Sequence, residues 1–420
     1  MRQPPERDPI SRARTLALLA GGLWGLVLTT SSVVYAGDWP QFRGPDGQGH
    51  SSERGLPLEW SETQNVAWKQ PLEGLGWSSP VISGGQVWLT TAIAEKGALK
   101  AVRLDAKTGQ QISYFDIFHK DDLGPIHTKN SHASPTPVIE GDRIYVHFGA
   151  HGTACLSTSG EVLWRNQELA YDHRHGPAGS PVIWQDLLIV SCDGTDKQFV
   201  VALDKKTGEI RWRTDRSGRM AYSTPLVIHV DGGMQLVSPG GDQVVGYAPA
   251  TGTEIWRFRY DGYSVVPRPV FGHGLVFVSS AYDSPVLYAI RLPGEGDITE
   301  TAAAWSMRRG APNNPSPVLV GDELYVVSDL GIATCVDAET GEQHWQSRLG
   351  GGFSASLLAA EGHIYFTNEE GLTTVVAADK TLNKLASNQL DGRTLASLAT
   401  ADGAIFLRTD KALYRIEAAK

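Results

Sequence analysis

The sequence is poor in cysteine and has no surplus of basic residues. Its 420 residues include three cysteines, and 37 Lys and Arg stand against 46 Asp and Glu, a formal net charge of −9. Cys155, Cys192 and Cys335 form neither CxxC nor CxxCH, which argues against structural zinc and excludes covalent c-type haem. We expect buried free thiols. The acidic balance argues against a sequence-independent nucleic-acid binder, which needs a surplus of Lys and Arg.

Long apolar runs are also scarce, and the only one of membrane length lies near the N-terminus. A basic stretch ending at Arg14 precedes an apolar core, and small residues follow as far as Ala36. This order predicts a signal peptide over residues 1–36, and the alternative is an uncleaved anchor helix. Since the first 40 residues contain no cysteine, we expect no lipid attachment. The predicted location is periplasmic or secreted, without stable membrane insertion after cleavage.

Glycine and tryptophan are abundant, at 46 and 12 residues, which favours short strands with tight turns over a helical bundle. A unit recurs along the chain. It opens on Ser/Thr-Pro with β-branched residues, continues with an aromatic strand, turns at Leu-Asp-x-x-Thr-Gly and ends on a strand that carries Trp. The eight openings lie near Ser79, Thr136, Ser180, Thr224, Pro269, Ser316, Ser356 and Ser397.

Four strands in each of eight units predict an all-β fold, an eight-bladed β-propeller of four-stranded antiparallel blades. The last unit lacks its Trp strand, and Asn65–Gln70 near the N-terminus resembles that strand. We therefore expect an N-terminal strand to close the ring. The predicted organisation is a strap over residues 37–64 and a single propeller domain over residues 65–420. Seven blades, or eight in another phase, are the alternatives.

The repeat, with Ser-Pro-Val-Ile, Gly-Asp-x-Ile-Tyr-Val and Leu-Asp-x-x-Thr-Gly-x-x-x-Trp, resembles the pyrroloquinoline-quinone (PQQ)-type β-propeller family over about residues 60–420. The stretches 38–49 and 127–137 are similar to exported propellers of planctomycete-like bacteria. One branch of the family contains quinoprotein dehydrogenases, which hold PQQ and calcium on the propeller axis and commonly have a vicinal cysteine pair. This chain has no vicinal pair, so the resemblance transfers no catalytic residue. We expect no cofactor, and the alternative, PQQ with calcium, lacks the support of a vicinal cysteine pair.

The other branch is of the BamB type, a propeller without cofactor that binds a barrel-insertion partner. The resemblance to it implies a non-catalytic, exported platform for a protein partner in the cell envelope or for a small anionic ligand, with a role in envelope assembly. The alternative is a PQQ- or metal-dependent oxidoreductase that uses the axial mouth. Ser-His-Asp, G-x-S-x-G, P-loop and calcium-loop patterns are all missing from the sequence.

Seven of the twelve histidines lie between positions 119 and 175. In propellers of this type, the loops before the innermost strands and the loops between the second and third strands share one face, so we expect these residues to meet there. Imidazole with carboxylate suits zinc, copper or iron, whereas Arg and Lys suit a carboxylate or phosphate. The alternative to a binding site is that these polar loops only cover the solvent-facing rim of the propeller. The candidate ligand-binding residues are His127, Lys129, Asn130, His132, His151, His173, Arg174, His175, Asp193 and Arg216.

Overall fold

The structure is a computed structural model that describes residues 37–419, with the side chains at positions 111 and 112 outside this description. The predicted signal peptide, residues 1–36, lies outside the described residues as well. Within them, the helices are two short 3₁₀ turns, Ala94–Lys96 and Gly149–His151. No helix in this part of the chain has the length and apolar character needed to cross a membrane.

Two strands precede the first blade, β1 (His50–Ser51) and β2 (Val66–Pro71). The first four blades follow in chain order. Blade 1 contains β3 (Val81–Ser83), β4 (Gln86–Ile93), β5 (Ala98–Asp105) and β6 (Gln111–His119). Blade 2 contains β7 (Val138–Glu140), β8 (Arg143–His147), β9 (Thr153–Ser157) and β10 (Val162–Asn166). Blade 3 contains β11 (Val182–Trp184), β12 (Leu187–Asp193), β13 (Gln198–Asp204) and β14 (Ile210–Asp215). Blade 4 contains β15 (Leu226–Val230), β16 (Gly233–Pro239), β17 (Gln243–Tyr247) and β18 (Glu254–Arg259).

The second half repeats the pattern. Blade 5 contains β19 (Val270–Gly272), β20 (Leu275–Ser279), β21 (Leu287–Arg291) and β23 (Ala303–Met307), and β22 (Gly296–Asp297) pairs with β18 of blade 4. Blade 6 contains β24 (Val318–Val320), β25 (Glu323–Val327), β26 (Ile332–Asp337) and β27 (Gln343–Arg348). Blade 7 contains β28 (Leu358–Ala360), β29 (His363–Thr367), β30 (Leu372–Ala377) and β31 (Lys384–Gln389). Blade 8 contains β32 (Ala399–Ala401), β33 (Ala404–Arg408), β34 (Ala412–Glu417) and, from the N-terminal side, β2.

The antiparallel pairing of β2 with β34 closes the ring, with Lys69 opposite Tyr414. The predicted all-β, eight-bladed propeller with an N-terminal closing strand is therefore confirmed. Closure leaves no unpaired sheet edge between the first and last blades, which removes a template for pairing with another chain. The alternative of seven blades is wrong, since the described residues form eight separate sheets, six of four strands and two in which β1 or β22 adds a fifth strand.

The residue that opens each repeat, Ser or Thr in every blade except blade 5, joins neighbouring blades around the axis. The backbone N–H at this position donates to the hydroxyl of the next blade over 2.9–3.1 Å, in the pairs Ser79–Thr136, Thr136–Ser180, Ser180–Thr224, Arg268–Ser316, Ser316–Ser356, Ser356–Ser397 and Ser397–Ser79. Buried backbone donors need such partners. Blade 5 has Arg268 in place of a hydroxyl, so this hydroxyl belt is interrupted between blades 4 and 5.

The outer-strand tryptophans join neighbouring blades at the rim. Each of five donates its indole N–H to a backbone carbonyl of the next blade over 2.9–3.2 Å, in the pairs Trp68–Ala106, Trp164–Lys205, Trp212–Pro249, Trp305–Ala338 and Trp345–Asp379. The acceptors lie in the turns after the third strands. The indole rings thereby fill the space between the sheets, and their N–H groups are hydrogen-bonded. The three cysteines are buried and free, as the sequence predicted.

Part of the segment predicted as a strap crosses the propeller face opposite the repeat openings. Trp39 pairs with Ile82 of blade 1, the carbonyl of Phe42 accepts from Arg268 of blade 5 over 2.7 Å, and β1 pairs in parallel with β28 of blade 7. Phe42 also lines a narrow cavity on the axis together with serines of the hydroxyl belt. Trp39 is almost fully buried and anchors the start of this segment.

Candidate functional site

Loops of both predicted kinds meet on one face of the propeller, which we call the mouth face. The backbone N–H of Asp172, before β11, donates to the carboxylate of Asp196, between β12 and β13, over 2.7 Å. In blade 6 the N–H of Asn313 donates to Asp329 over 2.6 Å. The inner strands of neighbouring blades contact one another, so their preceding loops converge around the axis.

A cavity of about 710 Å³ opens on the mouth face, and we call it the mouth cavity. Five of the ten predicted residues line it, namely His127, Lys129, Asn130, Arg174 and His175. The rest of the lining comes from blades 3 to 6 and consists of Ala178, Met220, Tyr222, Tyr263, Ser264, Val266, Tyr282, Asn313, Asn314 and Asp329. The volume lies in the range of ligand-binding cavities.

A tight turn between blades 1 and 2 presents the first three of these side chains. The N–H of Asn130 donates to the carbonyl of His127 over 2.8 Å, and the N–H of Lys129 donates to His127 Nδ1 over 3.2 Å. Because Nδ1 accepts, the proton of the neutral ring resides on Nε2, which leaves an N–H donor on the ring. Asn130 Nδ2 donates to the carbonyl of His175 over 2.8 Å and joins this turn to the loop of blade 3.

Lys129 also reaches the far side of the axis. Its Nζ lies 2.7 Å from Glu369 Oε1 in blade 7, and Glu369 accepts from Ser354 over 2.7 Å and from Arg393 over 3.3 Å. Burial opposes ionisation of Glu369, but the bonds from Lys129 and Ser354 outweigh it and lower the pKa of this carboxyl. Glu369 therefore stays ionised and holds the loop of blade 2 over the axis.

Three other predicted histidines lie together beneath the loops rather than in the mouth cavity. The ring centroids of His132 and His151 are 6.0 Å apart, and those of His151 and His173 are 5.1 Å apart. Burial lowers the pKa of each ring, that of His151 to about 4. Within residues 37–419, no group of three or more His, Cys, Asp or Glu side chains is arranged to hold a metal ion.

Asp193 and Arg216, the last two predicted residues, form a buried ion pair away from the cavity. Arg216 Nε donates to Asp193 Oδ1 over 2.8 Å, its Nη2 donates to Oδ2, and its remaining N–H groups bond Ser238 and Pro239. The Arg216 side chain is 4% exposed and that of Asp193 1%. Through its bidentate, buried geometry the pair joins the end of β12 to the loop after β14 and to β16. Neither group faces the mouth cavity.

The sequence reasoning missed the aromatic and apolar part of the cavity. Met220, Tyr263, Tyr282 and Val266 line it, and none of them belongs to the predicted set. Tyr263 and Val266 lie in the loop before the inner strand of blade 5, the same loop class that supplied His127 and Arg174. The signal available was therefore loop position, whereas the prediction selected charged, imidazole and amide side chains.

A sequence profile described as outer membrane protein assembly factor BamB matches this chain over residues 50–196, 152–262, 196–315 and 294–419. A curated relative, the outer membrane protein assembly factor BamB of Alteromonas naphthalenivorans, is 25% identical over 253 residues, which cover 55% of this chain and 58% of the relative. The chain thus matches less than two thirds of that relative's length.

Solved structures show the same fold at low identity. BamB from Moraxella catarrhalis superposes with a TM-score of 0.59 and 12% identity over 84% of this chain and 99% of its own. The quinohemoprotein alcohol dehydrogenase from Comamonas testosteroni superposes with a TM-score of 0.64 and 11% identity over 91% of this chain and 81% of its own. At these identities the likeness concerns the fold alone.

Proposed function

The chain belongs to the outer membrane protein assembly factor BamB family, and from that premise we propose that it is a non-catalytic β-propeller of the cell envelope that acts as a binding platform for a protein partner in outer-membrane assembly. The proposed location is periplasmic, or secreted. The proposed docking surface is the mouth face.

One observation supports this choice of face. Large apolar side chains stand exposed around the mouth cavity, with Leu330 73% exposed, Tyr282 54% and Ile126 37%. Aromatic and aliphatic groups around a concave site are typical of protein interfaces, where a few such anchors supply most of the binding energy. Leu330 lies between β25 and β26, and Tyr282 between β20 and β21, so two neighbouring blades present them on one side of the opening.

Site-specific photocross-linking tests the proposal. A photoreactive phenylalanine analogue at position 282 or 330 is expected to capture a barrel-assembly protein in envelope preparations. The matched control is position 234, where Met234 is 41% exposed near the start of β16, just after the turn from β15 and at the opposite end of the strands. Cross-links of equal yield at position 234, or none at the mouth positions, would reject the docking surface.

The oxidoreductase alternative needs PQQ and calcium on the axis, and the residues present there do not fit this pair. Calcium takes six to eight oxygen ligands. Asp329 instead accepts from the backbone N–H groups of Asn313 and Asn314 and from the Asn314 side chain. Glu369 is engaged by Lys129, Ser354 and Arg393. We therefore derive no reaction step through a quinone. Titration of the purified protein with PQQ and calcium should give neither bound quinone absorbance nor dye reduction.

A further inference from the structure

The mouth cavity has two walls of different chemistry, and they suggest what kind of group it receives. His127, Arg174 and His175 form one wall, at blades 2 and 3. The guanidinium of Arg174 makes no hydrogen bond or ion pair with any residue of the described chain. His127 adds the free Nε2–H that its bond from Lys129 leaves available. An unpaired guanidinium beside a ring N–H is a pair of donors suited to a carboxylate.

The charge around His175 agrees with an anion site. Its ring centroid lies 5.6 Å from that of His127, and burial together with His127 and Arg174 lowers its pKa. Of these causes, the charge of Arg174 favours a bound anion, whereas burial opposes a charge of either sign and the Asp172 carboxylate opposes an anion. Among the described residues that line the cavity, the carboxylate is that of Asp329, and it is turned to its amide donors in blade 6.

The second wall is aromatic. Tyr263 and Tyr282 meet edge to face with centroids 5.5 Å apart, and Tyr222 lies 6.1 Å from the ring of His175. Met220 and Val266 line the cavity as well, and the Tyr222 hydroxyl donates to Met220 Sδ over 3.5 Å. Aromatic rings prefer such edge and offset contacts with a further ring, and the Met thioether adds a favourable contact with its edge. The wall therefore suits a flat ring bound against the tyrosines.

The third feature is an unpaired hydrogen-bond acceptor, which favours a ligand that carries a donor. Asn313 lines the cavity, and its Oδ1 is buried without a hydrogen-bond partner among the residues described. A buried acceptor left unpaired is costly, so a ligand that supplies an N–H gains more there than on the open surface. A backbone amide of a bound chain is the simplest such donor.

We propose that the mouth cavity binds an N-acylated aromatic amino acid with a free carboxylate, with the carboxylate at Arg174 and His127, the ring against the wall of Tyr222, Tyr263 and Tyr282, and the amide N–H at Asn313. This chemistry occurs in a free acylated amino acid and at the C-terminus of a peptide that ends in an aromatic residue. The inference rests on the proposed binding function, for which it names the recognised group.

The probes separate the three contacts. N-acetylphenylalanine carries all three groups, N-acetylphenylalanine amide lacks the carboxylate, and N-acetylalanine lacks the ring. Calorimetry with the protein of residues 37–420 is expected to rank the acid first, with about a tenfold loss for the amide, the size expected for one charge-assisted hydrogen bond. Equal affinity for the acid and the amide, or no binding of the acid, would overturn the proposal.

Variants assign the carboxylate to its site. Arg174→Gln should bring the affinities for acid and amide to within about twofold of each other while leaving the amide unaffected, because only the charged contact is lost. Arg291→Gln, an exposed arginine at the end of β21, is the matched control and should keep the preference. A preference that survives in Arg174→Gln places the carboxylate elsewhere and rejects the assignment.

A peptide that ends in phenylalanine distinguishes the two sources. Binding of both the peptide and N-acetylphenylalanine supports recognition of a chain terminus, and binding of the acetylated amino acid alone supports a small-molecule ligand. Both results retain the proposed chemistry. Failure of every probe, with cross-links still formed at positions 282 and 330, would reject this inference while the docking surface stands.

Discussion

At the scale of single residues, a glycine in the repeated turn meets two demands at once. Gly208 ends the Asp-x-x-Thr-Gly turn of blade 3 with φ of +78°, a region that other L-residues adopt only at a cost. A Cβ at this position would lie 2.5 Å from the ring of Trp164, the outer-strand tryptophan of blade 2. The same glycine therefore permits the turn and leaves room for the tryptophan of the neighbouring blade to pack against it.

We predict that Gly208→Ala destabilises the propeller by more than the turn conformation alone explains. Gly362→Ala is the matched control, since Gly362 has φ of +74° and open space around its Cβ. The control should cost about 1 kcal/mol, the usual penalty of a left-handed alanine. Gly208→Ala should cost about 2–4 kcal/mol because the tryptophan must also move. Urea denaturation measures both, and equal losses would show that the ring contact contributes nothing.

The buried ion pair makes the second prediction at this scale. Removing one partner, in Asp193→Leu or Arg216→Met, leaves an uncompensated buried charge and should cost about 3–5 kcal/mol. The double variant should lose at least about 2 kcal/mol less than the sum of the two, because neither charge remains. Chemical denaturation of all four proteins gives the coupling energy. Additive losses would contradict a paired, solvent-excluded contact.

At the scale of elements, the closing strand β2 is the outer strand of blade 8. In the other blades this strand comes from the same repeat, whereas in blade 8 it comes from the N-terminal side of the chain. Trp68 of β2 donates to Ala106 of blade 1 over 3.2 Å, as Trp164 does to Lys205 one blade further on. The ring is thus held by the pairing of β2 with β34 and by this tryptophan contact between the blades.

We expect Trp68→Ala to cost about 3–5 kcal/mol, as for other large-to-small substitutions of packed tryptophans. Trp68→Phe should cost about 1 kcal/mol, because it loses the indole hydrogen bond but keeps much of the packing. Hydrogen exchange should rise first in Val66–Pro71 in the alanine variant. Trp256→Phe is the control, since Trp256 bonds Gln235 within its own blade, and exchange in Val66–Pro71 should not change there.

At the scale of the whole molecule, a cluster of neutral imidazoles couples stability to pH. Burial lowers the pKa of His147 to about 3 and of His151 to about 4, and it lowers the pKa of His132 and His173 as well. The charged groups that act on the last three are Lys120, Asp122 and Asp172. Below pH 6.5 the unfolded state binds more protons than the folded state. The free energy of unfolding is therefore undiminished by the cluster above this pH, and it declines as the pH falls toward 4.

The free energy of unfolding should therefore decrease from pH 7 to pH 5, by up to about 1.4 kcal/mol per pH unit for each imidazole that stays neutral in the fold. The variant His151→Gln/His173→Gln should flatten this dependence. His229→Gln removes an exposed histidine of blade 4 and should leave it unchanged. Urea denaturation at pH 7, 6 and 5 checks the slope, and a wild-type slope in the double variant would rule out the cluster as its source.

The sequence by itself determined the propeller, the number of blades and the strand that closes the ring. These features repeat along the chain and depend on contacts between successive units, so the Ser/Thr-Pro openings and the outer tryptophans indicate them directly. Only the tertiary structure decided which loop side chains meet. Asp193 forms a buried ion pair with Arg216, Lys129 forms an ion pair with Glu369 across the axis, and Tyr263 and Tyr282 line the cavity. The conformation of a loop depends on contacts with residues far away in the sequence, and no periodic pattern of the repeats encodes these contacts.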